Sequence, residues 1–148
     1  MNAQDAQERL VALLRMHRAA LITEFIQRAQ AAIPIYAATP YAILLDRFSG
    51  STDSIILCLG ERDLSVLTRY LEESTRQRLQ AGVTIEAQMM AAHVMESAIR
   101  ELVSRELAAE PDVLAGALRR IDVFATTSRN IMSRANLAAV LSDRKPPA

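Results

Sequence analysis

The stretch that decides the fold is residues 76–102, RQRLQAGVTIEAQMMAAHVMESAIREL, because it contains the end of one helix and the start of another. Gly82 is of the residue type that most readily adopts the left-handed conformation closing a helix. Thr84 is a preferred N-cap residue, and Glu86 follows in the first turn, where the helix dipole favours an acidic side chain. We therefore predict that one helix ends just before Gly82 and that the next begins at Ile85.

The same helical pattern extends over the rest of the chain. Apolar residues recur at three- and four-residue steps, and prolines or capping residues separate the periodic segments. No stretch of any length alternates with the two-residue period of a strand. The predicted helices are Ala3–Ala32, Tyr41–Leu59, Leu64–Ala81, Ile85–Leu107 and Pro111–Leu141.

Three local features refine these helix limits. Thr39 is expected to supply a capping hydroxyl ahead of Pro40, which suits the first position of a helix. Asp63 is expected to cap the helix that begins at Leu64. The run at residues 49–51, Ser-Gly-Ser, leaves two alternatives open, namely one long helix or two short helices joined by a tight turn.

Length and composition predict a single all-α domain. The chain has 148 residues, of which 51% are hydrophobic and 4% aromatic, with four glycines and five prolines. This length buries a sufficient core without a disulfide, and the lone Cys58 cannot form an internal one. We expect the domain to cover residues 1–142, and residues 143–148 to be a polar tail or the start of a linker.

Charge and hydropathy exclude several partners. The 17 basic and 17 acidic residues balance, and no segment concentrates the basic charge that a nucleic-acid module needs. No run of about 20 apolar residues could span a bilayer, and the N-terminus does not have the pattern of a signal peptide. We therefore predict a cytoplasmic protein that binds neither nucleic acid nor membrane.

Motifs for catalysis, metal binding or cofactor binding are absent from the sequence. It contains no phosphate-binding glycine pattern, and one cysteine cannot build a zinc framework. Glu96 with Arg100 and Glu72 with Arg76 are spaced as surface ion pairs, which we favour over an acid/base role. We predict no catalytic residues, no metal site and no cofactor, so the chain is not expected to be an enzyme.

Each of the two histidines and one arginine has more than one possible role. His17 lies on the apolar stripe of the first helix, and we favour a core histidine over a haem or metal ligand. His93 is interpreted either as a surface residue or as pointing into a methionine-lined cavity, and the structural role is favoured. Arg78 falls on an apolar face, where it needs a carboxylate, carbonyls or a bound anion, and we favour capping of the helix carbonyls over an anion site.

A candidate ligand pocket follows from these residues. Met89, Met90 and Met95 form an adaptable apolar cluster, for which a plain core is the commoner explanation. If a cavity is present, we expect it to be lined by Tyr70, Arg78, Met89, His93 and Met95.

The junction from Arg76 to Glu86, with the apolar helix after it, resembles the N-terminal sensor domain of RsbR-type stressosome regulators, a non-haem globin-like family. The shared element is an arginine, three variable residues, a glycine and a small polar N-cap. The resemblance implies a globin-like bundle without haem, with long first and last helices. It also implies a homodimer that controls an attached output domain or a signalling assembly protein in stress signal transduction. His93 is the one plausible proximal ligand for a haem, and we expect none to bind.

The leading hypothesis is therefore a non-enzymatic sensory or regulatory module, all-α and globin-like, that dimerises through its helices. The alternative is a helical-bundle protein that binds a small apolar or anionic ligand.

Overall fold

The computed structural model describes residues 3–61 and 65–143, and this part of the chain forms seven α-helices and no strand. The predicted all-α class is confirmed. The helices are α1 Ala3–Met16, α2 Arg18–Ala32, α3 Pro34–Ala37, α4 Tyr41–Gly60, α5 Ser65–Gln80, α6 Ile85–Glu106 and α7 Pro111–Asp143.

The first predicted helix is divided at His17, so the prediction of a continuous helix from Ala3 to Ala32 is wrong. His17 has φ −101° and ψ 15°, outside the helical range, although its N–H still donates to the Leu13 carbonyl at 3.1 Å. The break lets the two halves pack differently. Helix α1 packs on α4 and α7, whereas α2 packs on α3, α4 and α6.

Helix α7 is the centre of the bundle. Its 33 residues make it about 50 Å long, and it contacts α1, α4, α5 and α6. The main core lies where these helices meet α2. Its most deeply buried large side chains include Leu10, Leu14, Phe25, Ile26 and Leu44.

The junction between α5 and α6 has the predicted geometry. Gly82 has φ +88°, and its N–H donates to the Leu79 carbonyl at 3.1 Å. The Val83 N–H donates to the Arg78 carbonyl at 2.9 Å, which completes the two-bond closure of a Schellman motif. The Thr84 hydroxyl accepts from the Ala87 N–H at 3.2 Å, so the predicted N-cap is also confirmed.

Helix α4 settles the alternative left open at residues 49–51, since it is continuous through Gly50. The predicted cap at its start is wrong. Pro40 occupies the N-cap position, and the Thr39 hydroxyl instead donates backwards to the Ile35 carbonyl at 2.6 Å. The proline side chain has no hydrogen-bond acceptor, so this helix begins without a side-chain cap.

Some predicted features lie outside the described residues, namely the Asp63 cap, the start of a helix at Leu64 and most of the tail. Near that gap, the single cysteine is buried in a small cluster of Cys58, Leu67 and Ile131. Burial raises the pKa of the Cys58 thiol, so the thiol stays protonated.

A membrane span is not found among the described helices, none of which is both long and apolar enough to cross a bilayer.

Candidate ligand-binding site

The bundle contains a cavity of about 160 Å³ between α4, α5, α6 and α7, with Tyr36 of α3 at one side. All five residues predicted to line a pocket line this cavity. They are Tyr70 and Arg78 of α5 and Met89, His93 and Met95 of α6. The structure therefore brings the five residues together from two helices.

Most of the cavity wall is apolar. Met89 and Met95 line the cavity together with residues of α4 and α7 that were not predicted as pocket residues, including Ile55, Phe124 and Met132. Methionine side chains are flexible and polarizable, so they adapt to ligands of different shape. The third predicted methionine, Met90, is 45% exposed and is not among the lining residues.

A buried amide lies in the wall of the cavity. Gln88 is only 2% exposed, and its Nε2 donates to the Val83 carbonyl at 3.1 Å. Its Oε1 is buried and has no hydrogen-bond partner within the described part of the chain. An unsatisfied buried acceptor costs about 1–3 kcal/mol, and such groups are normally satisfied by an ordered water or a ligand.

Two arginines on the cavity wall have no acidic partner in the described part of the chain. Arg78 donates from Nη2 to the Ser51 hydroxyl at 3.1 Å, and Arg47 lies one turn before Ser51 on α4. Neither guanidinium forms an ion pair with a carboxylate of residues 3–61 or 65–143. Water can solvate exposed unpaired arginines such as Arg69, but Arg47 and Arg78 are half-buried.

Both of these positive charges affect the pKa of Tyr36. The residue is 5% exposed, and burial raises the pKa of its hydroxyl. The positive charges of Arg78 and Arg47 act in the opposite direction, so both guanidinium groups lie close enough to influence this ring. One side of the cavity is therefore electropositive.

The carboxylate on the cavity wall, Glu96, is already paired. One oxygen accepts from Arg100 Nε at 3.1 Å, and the other accepts from Arg129 Nη1 at 3.1 Å. The predicted pairing of Glu96 with Arg100 is thus confirmed, and Glu96 is not free to neutralise Arg47 or Arg78. His93 is an exposed residue one turn from Glu96.

Two predictions about Arg78 and Glu72 need correction. The Arg78 side chain bonds to Ser51 and not to helix carbonyls. Arg76 pairs with Glu73, three residues away, and not with Glu72. Three-residue and four-residue spacings both bring helix side chains together, so sequence spacing alone did not distinguish the two glutamates.

His17 is half-buried at the break between α1 and α2, so it is not the core histidine that the apolar stripe predicted. No group of three or more histidine, cysteine or acidic side chains in the described ranges is placed to hold a metal ion.

Sequence reasoning missed Arg47, Ser51 and Gln88. Gln88 had a recognisable signal, because it lies three residues before Ala91 and seven before Met95 on an otherwise apolar face. Arg47 and Ser51 had none, since the possible turn at residues 49–51 left their shared face undefined.

Comparisons with protein-family models, curated proteins and solved structures found no match to this chain.

Proposed function

We propose that this chain is a non-enzymatic module that binds a small, largely apolar molecule in the cavity between α4, α5, α6 and α7. The observation that carries the proposal is the cavity of about 160 Å³, with its apolar wall and few polar groups. Ligand sites in proteins have this composition, in which apolar side chains supply affinity and a few polar groups supply orientation.

The cavity volume limits the size of the ligand. An apolar cavity of about 150 Å³ in another protein binds benzene. A molecule with roughly six to ten non-hydrogen atoms is therefore the size that we expect, and the methionines allow some adjustment.

The proposal is tested by titrating the protein with 1-hexanol, an apolar probe, and monitoring binding through the amide chemical shifts in NMR spectra. We expect saturable shifts for residues around the cavity. In Ala92→Leu, a longer apolar side chain would occupy the cavity, since Ala92 lines it, and binding should be lost. Ala138→Leu is the matched control, because Ala138 is exposed on α7 and does not line the cavity.

Native mass spectrometry of the purified protein gives a second measurement. A co-purified small molecule that is lost from Ala92→Leu and kept in Ala138→Leu supports the proposal. The absence of saturable hexanol binding in the wild-type chain, together with a native mass equal to that of the chain alone, would overturn it.

A second candidate function is the sensory or regulatory module that the resemblance to RsbR-type regulators suggests, working as a homodimer. The observation that favours it is a set of exposed apolar side chains on the last turns of α7. Leu137 is 56% exposed, Val140 37% and Leu141 53%. Apolar side chains grouped in this way are typical of an interaction surface.

Light scattering at micromolar concentration tests this second candidate. We expect a dimer that Leu137→Gln converts to a monomer. Leu57→Gln is the control, since Leu57 of α4 is 52% exposed but lies on another helix. A wild-type monomer would remove the basis of this candidate and leave the ligand-binding proposal intact.

A further inference from the structure

We propose that the ligand is a small carboxylic acid with an apolar body, whose carboxylate is bound by Arg47 and Arg78. This inference rests on the proposed ligand-binding function and names the chemical class of the ligand.

The first step of the argument is the position of the two arginines. Arg47 and Ser51 are four residues apart on α4, so they lie on the same face of that helix. Arg78 reaches across from α5 to donate to the Ser51 hydroxyl at 3.1 Å. The two guanidinium groups therefore approach the same part of the cavity from two different helices.

The second step is electrostatic. Two like charges on one half-buried wall repel each other, and partial burial removes some of the water that would screen them. Glu96, a carboxylate on the cavity wall, has its two oxygens bonded to Arg100 and Arg129. An anion between Arg47 and Arg78 would supply the missing negative charge.

The third step concerns the kind of anion. Guanidinium groups match the planar geometry of a carboxylate and form strong charge-assisted hydrogen bonds with it. The rest of the cavity wall is mainly apolar, including Met89, Met95 and Phe124, and this favours a hydrocarbon body. A free inorganic anion would leave that apolar surface without a contact.

The amide of Gln88 has a separate role. An ionised carboxylate only accepts hydrogen bonds, so it cannot satisfy Gln88 Oε1, which also accepts. That oxygen requires a donor, which is either an ordered water or a hydroxyl or amine on the body of the ligand.

The inference is tested by comparing hexanoate with 1-hexanol and acetate in calorimetric titrations at pH 7. Hexanoate and 1-hexanol share the apolar chain, and acetate has the carboxylate without it. We expect hexanoate to bind about tenfold to a hundredfold more tightly than 1-hexanol, since hydrogen bonds to charged groups contribute this much. Acetate should bind far more weakly than hexanoate.

Variants of the two arginines test whether these residues cause the preference for hexanoate. In Arg47→Met and in Arg78→Met, the preference for hexanoate over 1-hexanol should fall to about threefold or less, while 1-hexanol affinity changes little. Arg69→Met is the charge-matched control, because Arg69 is exposed on α5 and does not line the cavity. Arg47 donates no hydrogen bond to the described residues, so its variant stays informative even if loss of the Arg78 bond to Ser51 disturbs folding.

The outcomes separate the two proposals. If 1-hexanol binds and hexanoate binds no more tightly, or if the preference survives in both arginine variants, the carboxylate inference is wrong and the ligand-binding function stands. If neither hexanoate nor 1-hexanol binds to the wild-type chain, the ligand-binding function fails and this inference fails with it.

Discussion

Helices α1 and α7 lie close together at Ala6 and Gly116. A Cβ atom added at Gly116 would lie 2.7 Å from the Cβ of Ala6, whereas carbon atoms in contact prefer about 3.5–4.0 Å. An alanine Cβ is held rigidly by the backbone and cannot rotate away. In Gly116→Ala the two helices must therefore separate by about 1 Å to regain normal contact.

The expected free-energy change has two opposing parts. Alanine is favoured over glycine in a helix interior by about 1 kcal/mol. Overpacking a close contact costs about 1–3 kcal/mol. Gly50→Ala isolates the first part, because Gly50 lies inside α4 with no heavy atom within 4 Å of an added Cβ. We expect Gly50→Ala to stabilise the protein, and Gly116→Ala to have a free energy of unfolding about 1–3 kcal/mol lower than Gly50→Ala.

Urea unfolding, monitored by circular dichroism, measures the free energy of unfolding of both variants. The double variant Ala6→Gly/Gly116→Ala adds a further test, because removing the Ala6 methyl group relieves the clash. The coupling energy between the two substitutions should then be about 1–3 kcal/mol in the stabilising direction. Equal stabilisation by Gly116→Ala and Gly50→Ala, with no coupling to Ala6→Gly, would refute this description of the contact between α1 and α7.

Three further predictions concern the end of α5, one ion pair and haem. Gly82→Ala should lower the free energy of unfolding by about 1–2 kcal/mol, because Gly82 has φ +88° and alanine is strained there. An added Cβ would meet no other atom within 4 Å, so a steric clash does not contribute. An unchanged urea midpoint would contradict this geometry. The Arg9 guanidinium lowers the pKa of Glu110 from its ordinary 4.5, so this ion pair stabilises the folded protein above pH 4.5 and loses that effect as the pH falls further. When the free energy of unfolding is measured against pH, Glu110→Gln should therefore lose less stability in acid than the wild-type chain. The purified protein should show no Soret band, and a stoichiometric band that disappears in His93→Ala would show that haem binds.

The ends of helices were predictable because their signals are local. The Gly82 and Thr84 junction depends on backbone conformation and on hydrogen bonds within a few residues, and the structure has both features. The start of α7 at Pro111 follows from the same kind of signal. The break at His17 was not predicted, because the sequence around it contains no proline or glycine that would signal the end of a helix.

The candidate site likewise has residues that the sequence predicted and residues that it did not. Tyr70, Arg78, Met89, His93 and Met95 come from two helices that are consecutive in the chain, so periodicity and a shared junction were enough to group them. The partners on α4 and α7 are distant in sequence. No local pattern shows that Ser51 accepts from Arg78, 27 residues away.

The sequence by itself determined the helical class, most helix ends and five of the residues on the cavity wall, because propensity, capping and apolar periodicity act over one or two turns. Only the tertiary structure decided that a cavity is present, that Glu96 is paired across to Arg129, and that Arg47 and Arg78 line the cavity with no ion-pair partner among the described residues. These features depend on which helix faces meet and how closely, which the packing of the whole bundle sets.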